Sequence, residues 1–551
     1  MMERNDIDQR GGVSLKSKRV MKIGLLIALA LTMMLAACGD KSKETGGGKE
    51  GETGSGTKGE GGGTLVFGRG GDSVALDPAI VTDGESYKVL VNVTETLVDF
   101  GKDNMELNPL LAESWEKSDD GLTYTFKLKQ GVKFHDDTDF NAEAVVKNVE
   151  RWKNGDDKFA YYHSQFRLDE KDVIESVTAE DEHTVVFKLS TPQAPFLRNI
   201  AMSAFAMLSP TAFEADEKKM AEAPIGTGPF KFVEWKRNDA ITIEKFDGYH
   251  VEGLPKLDKI IYRAIPDNSA RLNELSAGSI DVADGINPSD AAGVKDNDQL
   301  QLIERPSMNV GYFGLTVSRK PFDDKLVRQA ANYAVDKQAI VDAFFEGYAE
   351  VANTPLPPVL EAHNENIKAY PYDPEKAKEL LKEAGYKGEE FELWAMPVPR
   401  PYMPDGQKIA EAIQKNFEDV GLKAKIVSFE WATYLEKATA GDADSFLLGW
   451  TGDNGDADNF LYTLLDEDNI GSNNYTFYKN DELHKLLIDA QTEVDEDKRN
   501  EMYKKAQEII HEDAPWIPLA HSTPLLAATA NVSNYVAHPT SSDKLLEVEL
   551  K

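Results

Sequence analysis

A pattern of three strands and two helices over residues 391–460 constrains the fold more than any other feature of this chain. In order, it contains a strand at Phe391–Met396, a helix with Ile409, Ile413, Phe417 and Val420 on one face, a strand at Ala424–Phe429, a weaker helix at Glu430–Ala440 and a strand at Ser445–Trp450. Strands that alternate with helices predict a parallel sheet. Ligands of open parallel sheets bind beyond the carboxyl ends of the strands, so the loops after these strands are candidate binding loops.

Two of these loops carry opposite charges. Residues 397–402 (PVPRPY) follow the first strand and contain Arg400, and residues 449–460 (GWTGDNGDADNF) end the third strand and contain Asp453. We expect both loops at the same edge of one sheet, where they present a cation and an anion.

The three aspartates of residues 449–460 also allow other interpretations. An EF-hand calcium loop that began at Asp453 would need glycine at its sixth position and glutamate at its twelfth. These positions are Asp458 and Leu464. Asp456 and Asp458 fit a structural role, in turns and at the start of the following helix.

The rest of the chain mixes strands and helices. Alternating or apolar runs predict strands at Thr64–Phe67, Tyr124–Lys129, Thr184–Leu189, Gly226–Phe232 and Ala240–Glu244. Apolar residues recur at helical spacing between Val327 and Phe345 and again from Pro374 to Ala384, which predicts helices there. A chain of 551 residues is expected to form two or three domains.

The first 37 residues have the organisation of an export signal. A basic segment precedes the apolar run Ile23–Ala37, which is short for a membrane span. Leu35–Gly39 resembles the lipobox of bacterial lipoproteins, in which the chain is cut before the cysteine, here Cys38, and the thiol carries lipid; the alternative is an unmodified cysteine. Residues 38–63 are predicted to be the lipidated cysteine and a flexible, glycine-rich tether.

Charge and missing motifs exclude other classes of function. The net charge of −34 argues against binding to nucleic acid or to an anionic lipid surface. His511–Pro515 lacks the second histidine of a zinc-protease helix, and residues 64–551 contain neither a Gly-x-Ser-x-Gly motif nor a cysteine. We therefore expect no enzyme activity, no cofactor and no metal.

Several motifs distributed over the chain indicate one family. They are LAESW at Leu111–Trp115, DGLTYTF at Asp120–Phe126, GVKFHD at Gly131–Asp136, GTGPF at Gly226–Phe230 and YDPEKA at Tyr372–Ala377. From about Thr64 onwards the chain resembles the oligopeptide and dipeptide class (family 5) of bacterial extracellular solute-binding proteins, the receptors of ABC importers. One departure is Asp137, where members commonly carry glycine in a turn. Leu393–Tyr402 and residues 449–460 are most similar to dipeptide-binding members.

The resemblance implies an α/β, two-lobed, periplasmic-binding-protein-like fold (type II) with an extra subdomain in the larger lobe. The larger lobe would contain residues 64–306, with the extra subdomain at roughly 100–225, and the return segment 517–551. The smaller lobe would contain residues 307–516. Two chain crossings would form a hinge, and ligand would close the cleft.

The resemblance also assigns roles to residues. In dipeptide-binding relatives the arginine of the first motif holds the α-carboxylate of the peptide and the first aspartate of the second motif holds its α-ammonium; here these residues are Arg400 and Asp453. The ends of a dipeptide lie about 7 Å apart, so the two charges would select for length. Tyr402, Trp431 and Trp450 are candidates to line side-chain pockets, although each fits the core equally well. The remaining candidates are Thr451 and Gly452 beside Asp453, and Gly70 and Ser73 from the larger lobe.

Taken together, the resemblance implies a monomeric, lipid-anchored receptor at the outer face of the cell membrane. It would capture dipeptides and deliver them to the permease subunits of an ABC importer, without catalysis. The alternatives are another cargo in the same fold (a longer peptide, glutathione, haem or a chelated metal), a surface lipoprotein hydrolase, and a structural or sensory lipoprotein.

Overall fold

The computed structural model describes residues 62–155, 157–168 and 171–551. The predicted export signal, Cys38 and the tether up to residue 61 lie outside these residues. Gly63, at the end of the predicted tether, is already part of the fold, because its N–H donates to the Asp258 carboxylate at 2.8 Å. In the described part of the chain, no helix combines the length and the apolar character that a membrane span requires.

The first of two lobes is built on a seven-stranded sheet. Across the sheet, its strands are Phe230–Lys236, Ala240–Lys245, Lys259–Ala264, Thr64–Arg69, Val282–Asp284, Leu525–Thr529 and Leu300–Glu304. The strand Thr64–Arg69 pairs in parallel with both of its neighbours, and the outer pairs are antiparallel.

The second lobe is built on a six-stranded sheet. Across the sheet, its strands are Ala349–Val351, Trp516–Ser522, Asn309–Leu315, Ser445–Thr451, Glu390–Trp394 and Lys423–Val427. Glu390–Trp394 pairs in parallel with the strands on either side, which confirms the parallel sheet predicted for residues 391–460. The other three strands are antiparallel to their neighbours.

A four-stranded antiparallel sheet forms a separate layer with its own apolar core. Its strands, in order, are Ala112–Lys117, Thr123–Leu128, Thr184–Leu189 and Ile174–Asp181. Strand pairs also occur at Val98–Phe100 with Leu107–Pro109, Arg167–Leu168 with Lys171–Asp172, and Val532–Ser533 with Glu549–Leu550. We call residues 100–225 around the four-stranded sheet the subdomain.

Helices pack on the sheets. The longer ones are Gly84–Val93, Ala142–Lys153, Asn268–Ser276, Lys325–Ala334, Lys337–Phe345, Pro374–Glu383, Gly406–Val420, Trp431–Thr439, Asp458–Leu465, Asp481–Thr492 and Glu496–Asp513. Shorter ones are Ala160–His163, Phe196–Ala201, Pro210–Ala215, Glu217–Met220 and Ala291–Lys295.

Local chemistry fixes the ends of these helices. In Gly406–Val420, the Asp405 carboxylate accepts from the Lys408 N–H at the start, and Gly421 with φ +94° ends the helix. The helical spacing between Val327 and Phe345 predicted no interruption, but the structure has two helices there. Asp336 separates them, because its carboxylate accepts from the Ala339 N–H and starts the second helix.

The chain crosses between the two lobes twice. The first crossing follows Leu300–Glu304 and enters the six-stranded sheet at Asn309, and the second lies between the strands that end at Ser522 and begin at Leu525. The boundary predicted near residue 517 falls inside the strand Trp516–Ser522, because the pairing of this strand with Asn309–Leu315 continues to Ala520. The predicted domain boundaries stay predictions.

Candidate functional site

A cavity of about 1310 Å³ lies between the two lobes. Its first wall comes from the loop after Thr64–Arg69, from the helix Gly84–Val93 and from residues 284–288. The second wall comes from residues 398–402, from the start of the helix Trp431–Thr439, and from residues 448–451 and Asp453. The two oppositely charged loops predicted from the sequence therefore line the same cavity.

Two facing glycines let the loop of residues 397–402, which we call the arginine loop, approach the sheet closely. Gly311 and Gly449 face each other on neighbouring antiparallel strands. A methyl group at Gly449 would overlap the ring of Tyr402, and one at Gly311 would overlap the Tyr402 carbonyl. Only glycines at this pair leave room for Tyr402 at its position against the sheet.

Arg400 is exposed to the cavity, and its side chain hydrogen-bonds to the Tyr402 side chain. Its backbone N–H donates to the Met403 carbonyl at 3.1 Å, and its Nη1 donates to the Pro399 carbonyl at 3.3 Å. Its guanidinium carbon lies 6.0 Å from the centre of the Trp431 ring. Within the described residues, no carboxylate lies within ion-pair distance of Arg400.

Asp453 faces the same cavity and carries the opposite charge. Its N–H donates to Asn459 Oδ1 at 3.0 Å, and Asn459 Nδ2 lies 3.5 Å from its Oδ2. Asp453 is exposed to the cavity, but the protein around its carboxyl group displaces part of the surrounding water, which raises its pKa to about 6; the hydrogen bond from Asn459 opposes this increase. In the part of the chain that the structure describes, Asp453 has no ion-pair partner.

The other two aspartates of this loop have structural partners. Arg499 donates to both oxygens of Asp456, at 2.7 and 2.8 Å, and thereby holds the pKa of Asp456 below its usual range although burial would raise it. Asp458 accepts from Gln491 and Tyr503. Burial, and then the charge of Asp456, raise the pKa of Asp458 to about 7. These contacts agree with the structural interpretation of both residues, and of the three aspartates only Asp453 lines the cavity.

The remaining predicted site residues divide into two groups. Tyr402, Trp431, Trp450, Thr451 and Gly70 line the cavity. The three aromatic residues also pack against the core of the second lobe, and their role as lining of side-chain pockets stays a prediction.

Ser73 and Gly452 do not line the cavity. The Ser73 hydroxyl accepts from Arg69 Nη1 at 2.8 Å, and the Gly452 N–H donates to the Met308 carbonyl at 2.9 Å. A methyl group at Gly452 would lie 2.6 Å from the Phe460 ring, so this glycine serves the packing of the loop.

The first wall of the cavity carries a set of charges that the sequence did not predict. Lys88 lies 2.8 Å from Glu85 and 2.5 Å from Asp284. Burial alone would raise the pKa of Asp284, but Lys88 and Arg305 lower it to about 2. The only sequence signal was a Glu85 and Lys88 pair three residues apart on a helix, which is typical of a solvated helix face.

One other group of side chains has the composition of a metal site. Ligand atoms of Asp466, Asp468 and His484 lie within 4.8 Å of one another. The Asp466 carboxylate is already engaged, by the His484 ring at 3.0 Å and the Asp468 N–H at 3.0 Å. These hydrogen bonds account for the close approach of the three residues.

Comparison with known proteins gives consistent matches. Residues 106–472 match the family described as bacterial extracellular solute-binding proteins, family 5 middle. The chain is 36% identical to the dipeptide-binding protein of Escherichia coli (strain K12), over 98% of this chain and 100% of that protein. It is also 36% identical to haem-binding protein A of Haemophilus influenzae, over 96% of this chain and 100% of that protein.

A solved structure has the same architecture. The ABC transporter-associated periplasmic binding protein DppA from Helicobacter pylori, in complex with the peptide STSA, superimposes with a TM-score of 0.78. The two chains are 34% identical, and the match covers 89% of this chain and 98% of that one.

Proposed function

Because the chain belongs to the bacterial extracellular solute-binding proteins of family 5, we propose that its cavity captures dipeptides and delivers them to the permease subunits of an ABC importer. One observation carries the choice of cargo: Arg400 and Asp453 have opposite charges, line one cavity, and have no ion-pair partner among the described residues. The name of the relative from Escherichia coli supports the same cargo.

The chemistry of the two charges fits the two ends of a dipeptide. The planar guanidinium of Arg400 donates two parallel hydrogen bonds to the α-carboxylate. Asp453 accepts from the α-ammonium, and the positive charge of the ligand favours the ionised form of its carboxyl group. A longer peptide would carry its carboxylate past Arg400 and leave a desolvated charge unpaired, which typically costs about 3–5 kcal/mol.

The test is a calorimetric titration of protein that was unfolded and refolded to remove bound cargo. We expect tight binding of a dipeptide, and much weaker binding of a tripeptide and of the N-acetylated dipeptide. Arg400→Ala and Asp453→Asn should each weaken dipeptide binding on the order of 100-fold, because each leaves one charge of the ligand unpaired. Unchanged dipeptide affinity in both variants would refute the site.

A longer peptide is the second candidate cargo. The cavity of about 1310 Å³ exceeds the range of roughly 300–1,000 Å³ that is common for small-ligand pockets. The related structure from Helicobacter pylori was solved with the four-residue peptide STSA. Equal affinity for the dipeptide and for Ser-Thr-Ser-Ala in the same titration would favour this candidate.

We further propose that Cys38 carries a lipid anchor, that the receptor is a monomer and that it does not turn over its cargo. The sequence around Cys38 supports the anchor, and the solute-binding family supports a transport role. Cys38→Ser should release the protein from cell membranes into the soluble fraction. A dipeptide incubated with purified protein should be recovered intact by chromatography.

A further inference from the structure

The loop that carries Asp453 is held by the subdomain as well as by its own lobe. Asn454 directly follows Asp453, and its Nδ2 donates to Asn199 Oδ1 at 2.9 Å. Both asparagines are only 2% exposed. Asn199 belongs to the short helix Phe196–Ala201, which packs in the core of the subdomain.

Two neighbouring residues extend this contact. Arg198 Nη1 lies 3.5 Å from the Asn454 carbonyl and donates to the Met105 carbonyl at 2.9 Å. Gly455 has φ +65°, and a methyl group there would lie 2.7 Å from Met105 Cβ. The subdomain therefore contacts both residues that follow Asp453. Asn454 donates to Asn199 and accepts from Arg198, and the backbone of Gly455 closely approaches Met105.

The contact matters because Asp453 has few restraints of its own. Its side chain faces the cavity, and Asn459 is its nearest hydrogen-bond partner. Within its own lobe the loop is next fixed at Asp456, by Arg499. Asn454 lies between these points, so a shift of Asn454 would move the Asp453 carboxylate directly.

We propose that Asn199 and Arg198 are positioning residues for Asp453, so that the subdomain sets the affinity for the ammonium end of the cargo. This inference rests on the proposed function, in which Asp453 binds that ammonium. It assigns to the subdomain a role in recognition that is separate from the lining of the cavity.

A double-mutant cycle tests the proposal, with calorimetric dissociation constants for a dipeptide as the measurement. Asn199→Ala leaves the Asn454 amide without its buried acceptor, and we expect about tenfold weaker binding. In an Asp453→Asn background the same substitution should change affinity by less than about twofold, because there is no ammonium contact left to position. Arg198→Ala, at a partly exposed side chain, should give a smaller loss in the same direction.

Asn148→Ala is the matched control. Asn148 is also a buried asparagine of the subdomain, and its side chain bonds to the Ala144 and Leu208 backbone, away from the loop. This variant should lower the melting temperature and leave the dissociation constant unchanged. A purely structural role of Asn199 predicts the same behaviour for Asn199→Ala.

The possible results separate the two proposals. If Asp453→Asn does not weaken dipeptide binding, the proposed function of Asp453 is wrong. If Asp453→Asn weakens binding but Asn199→Ala and Arg198→Ala do not, only the positioning role is overturned. Equal losses from Asn199→Ala with and without Asp453 would also overturn it. If Asn199→Ala does not fold, Arg198→Ala decides by the same criteria.

Discussion

At the scale of single residues, the two candidate ligand-binding charges differ from a buried ion pair such as that of Arg305 with Asp543. Buried charges normally have a partner, because an unpaired charge out of water is costly. Arg305 follows this rule: its Nη1 and Nη2 donate to the two oxygens of Asp543, at 2.6 and 2.8 Å. Arg400 and Asp453 do not pair with protein within the described residues, and both are open to the cavity. A zwitterionic ligand would supply both missing partners.

The pKa of Asp453 predicts how binding depends on pH. The pKa of this carboxyl group is about 6, so it takes up a proton as the pH falls through that value and can no longer pair with an ammonium. Below about pH 6 the affinity should fall by up to about tenfold per pH unit, while both ends of a dipeptide keep their charges down to about pH 4. Titrations between about pH 5 and pH 7 measure this effect. In Asp453→Asn the dependence should disappear, and a wild-type affinity that is constant over this range would contradict the prediction.

The same shift affects the stability of the ligand-free protein. Because the pKa of Asp453 is raised in the folded state, the folded protein holds more protons than the unfolded chain between about pH 4 and pH 6. The contribution of Asp453 to stability is therefore present below this range and is lost as the pH rises through it. Bound ammonium reverses the loss, so the increase in melting temperature on addition of dipeptide should be larger at pH 7 than at pH 5.

At the scale of elements, local patterns predicted the strands and helices around the site well. Four of the five elements of residues 391–460 have ends within two residues of their predicted positions, and the helix predicted from Ile409, Ile413, Phe417 and Val420 occurs as Gly406–Val420, because apolar periodicity and caps are local signals. The sequence could not show that Tyr402 needs the facing glycines Gly311 and Gly449, since these lie far apart in the chain and become neighbours only through strand pairing.

Gly449→Ala tests whether the close contact of Tyr402 with the sheet holds the arginine loop in place. The added methyl group would overlap the Tyr402 ring and approach the Val310 carbonyl to 2.6 Å. We expect the loop to lift and dipeptide affinity to fall about tenfold or more, with a loss of stability of about 1–3 kcal/mol from overpacking. Calorimetry and thermal denaturation measure the two effects. Gly293→Ala is the control, because a methyl group there meets no atom within 4 Å and both quantities should stay near wild type.

At the scale of the whole molecule, the sequence predicted the two-lobed fold only through its resemblance to a family. Long-range contacts carry no periodic signal, so the pairing of Trp516–Ser522 with Asn309–Leu315 and the contact of Asn199 with Asn454 could not be read from local patterns. The charges of the first cavity wall were missed for the same reason: Lys88 and Asp284 are far apart in sequence.

The two chain crossings are joined by Asn309. Its Nδ2 donates to the Ser522 carbonyl at 2.8 Å, and its Oδ1 accepts from the Ser522 N–H at 3.1 Å. Asn309→Ala leaves these buried groups unsatisfied, at a cost of about 1–3 kcal/mol each. Amide hydrogen exchange should accelerate at residues 306–309 and 520–524. Asn332→Ala, a buried asparagine of the same lobe away from the crossings, should not change exchange there; if it accelerates exchange equally, Asn309 has no special role.

The width of the cavity predicts that the lobes close on their cargo. Arg400 and Asp453 both belong to the second lobe, and the cavity of about 1310 Å³ exceeds the roughly 300–1,000 Å³ that is common for small-ligand pockets. Closure would bring the first wall, with Gly70 and the charges of Lys88, Glu85 and Asp284, onto the ligand. It would also bury apolar surface, which stabilises the closed form by about 25 cal/mol per Å² buried. The two crossings at residues 305–308 and 523–524 allow the lobes to rotate towards each other without breaking either large sheet.

Small-angle X-ray scattering should therefore show a smaller radius of gyration when the refolded protein is saturated with dipeptide. The Arg400→Ala, Asp453→Asn double variant should keep the ligand-free radius at the same peptide concentration, because it lacks both contacts that retain the ligand. Identical scattering of free and saturated wild-type protein would mean that the cavity binds its cargo without closing.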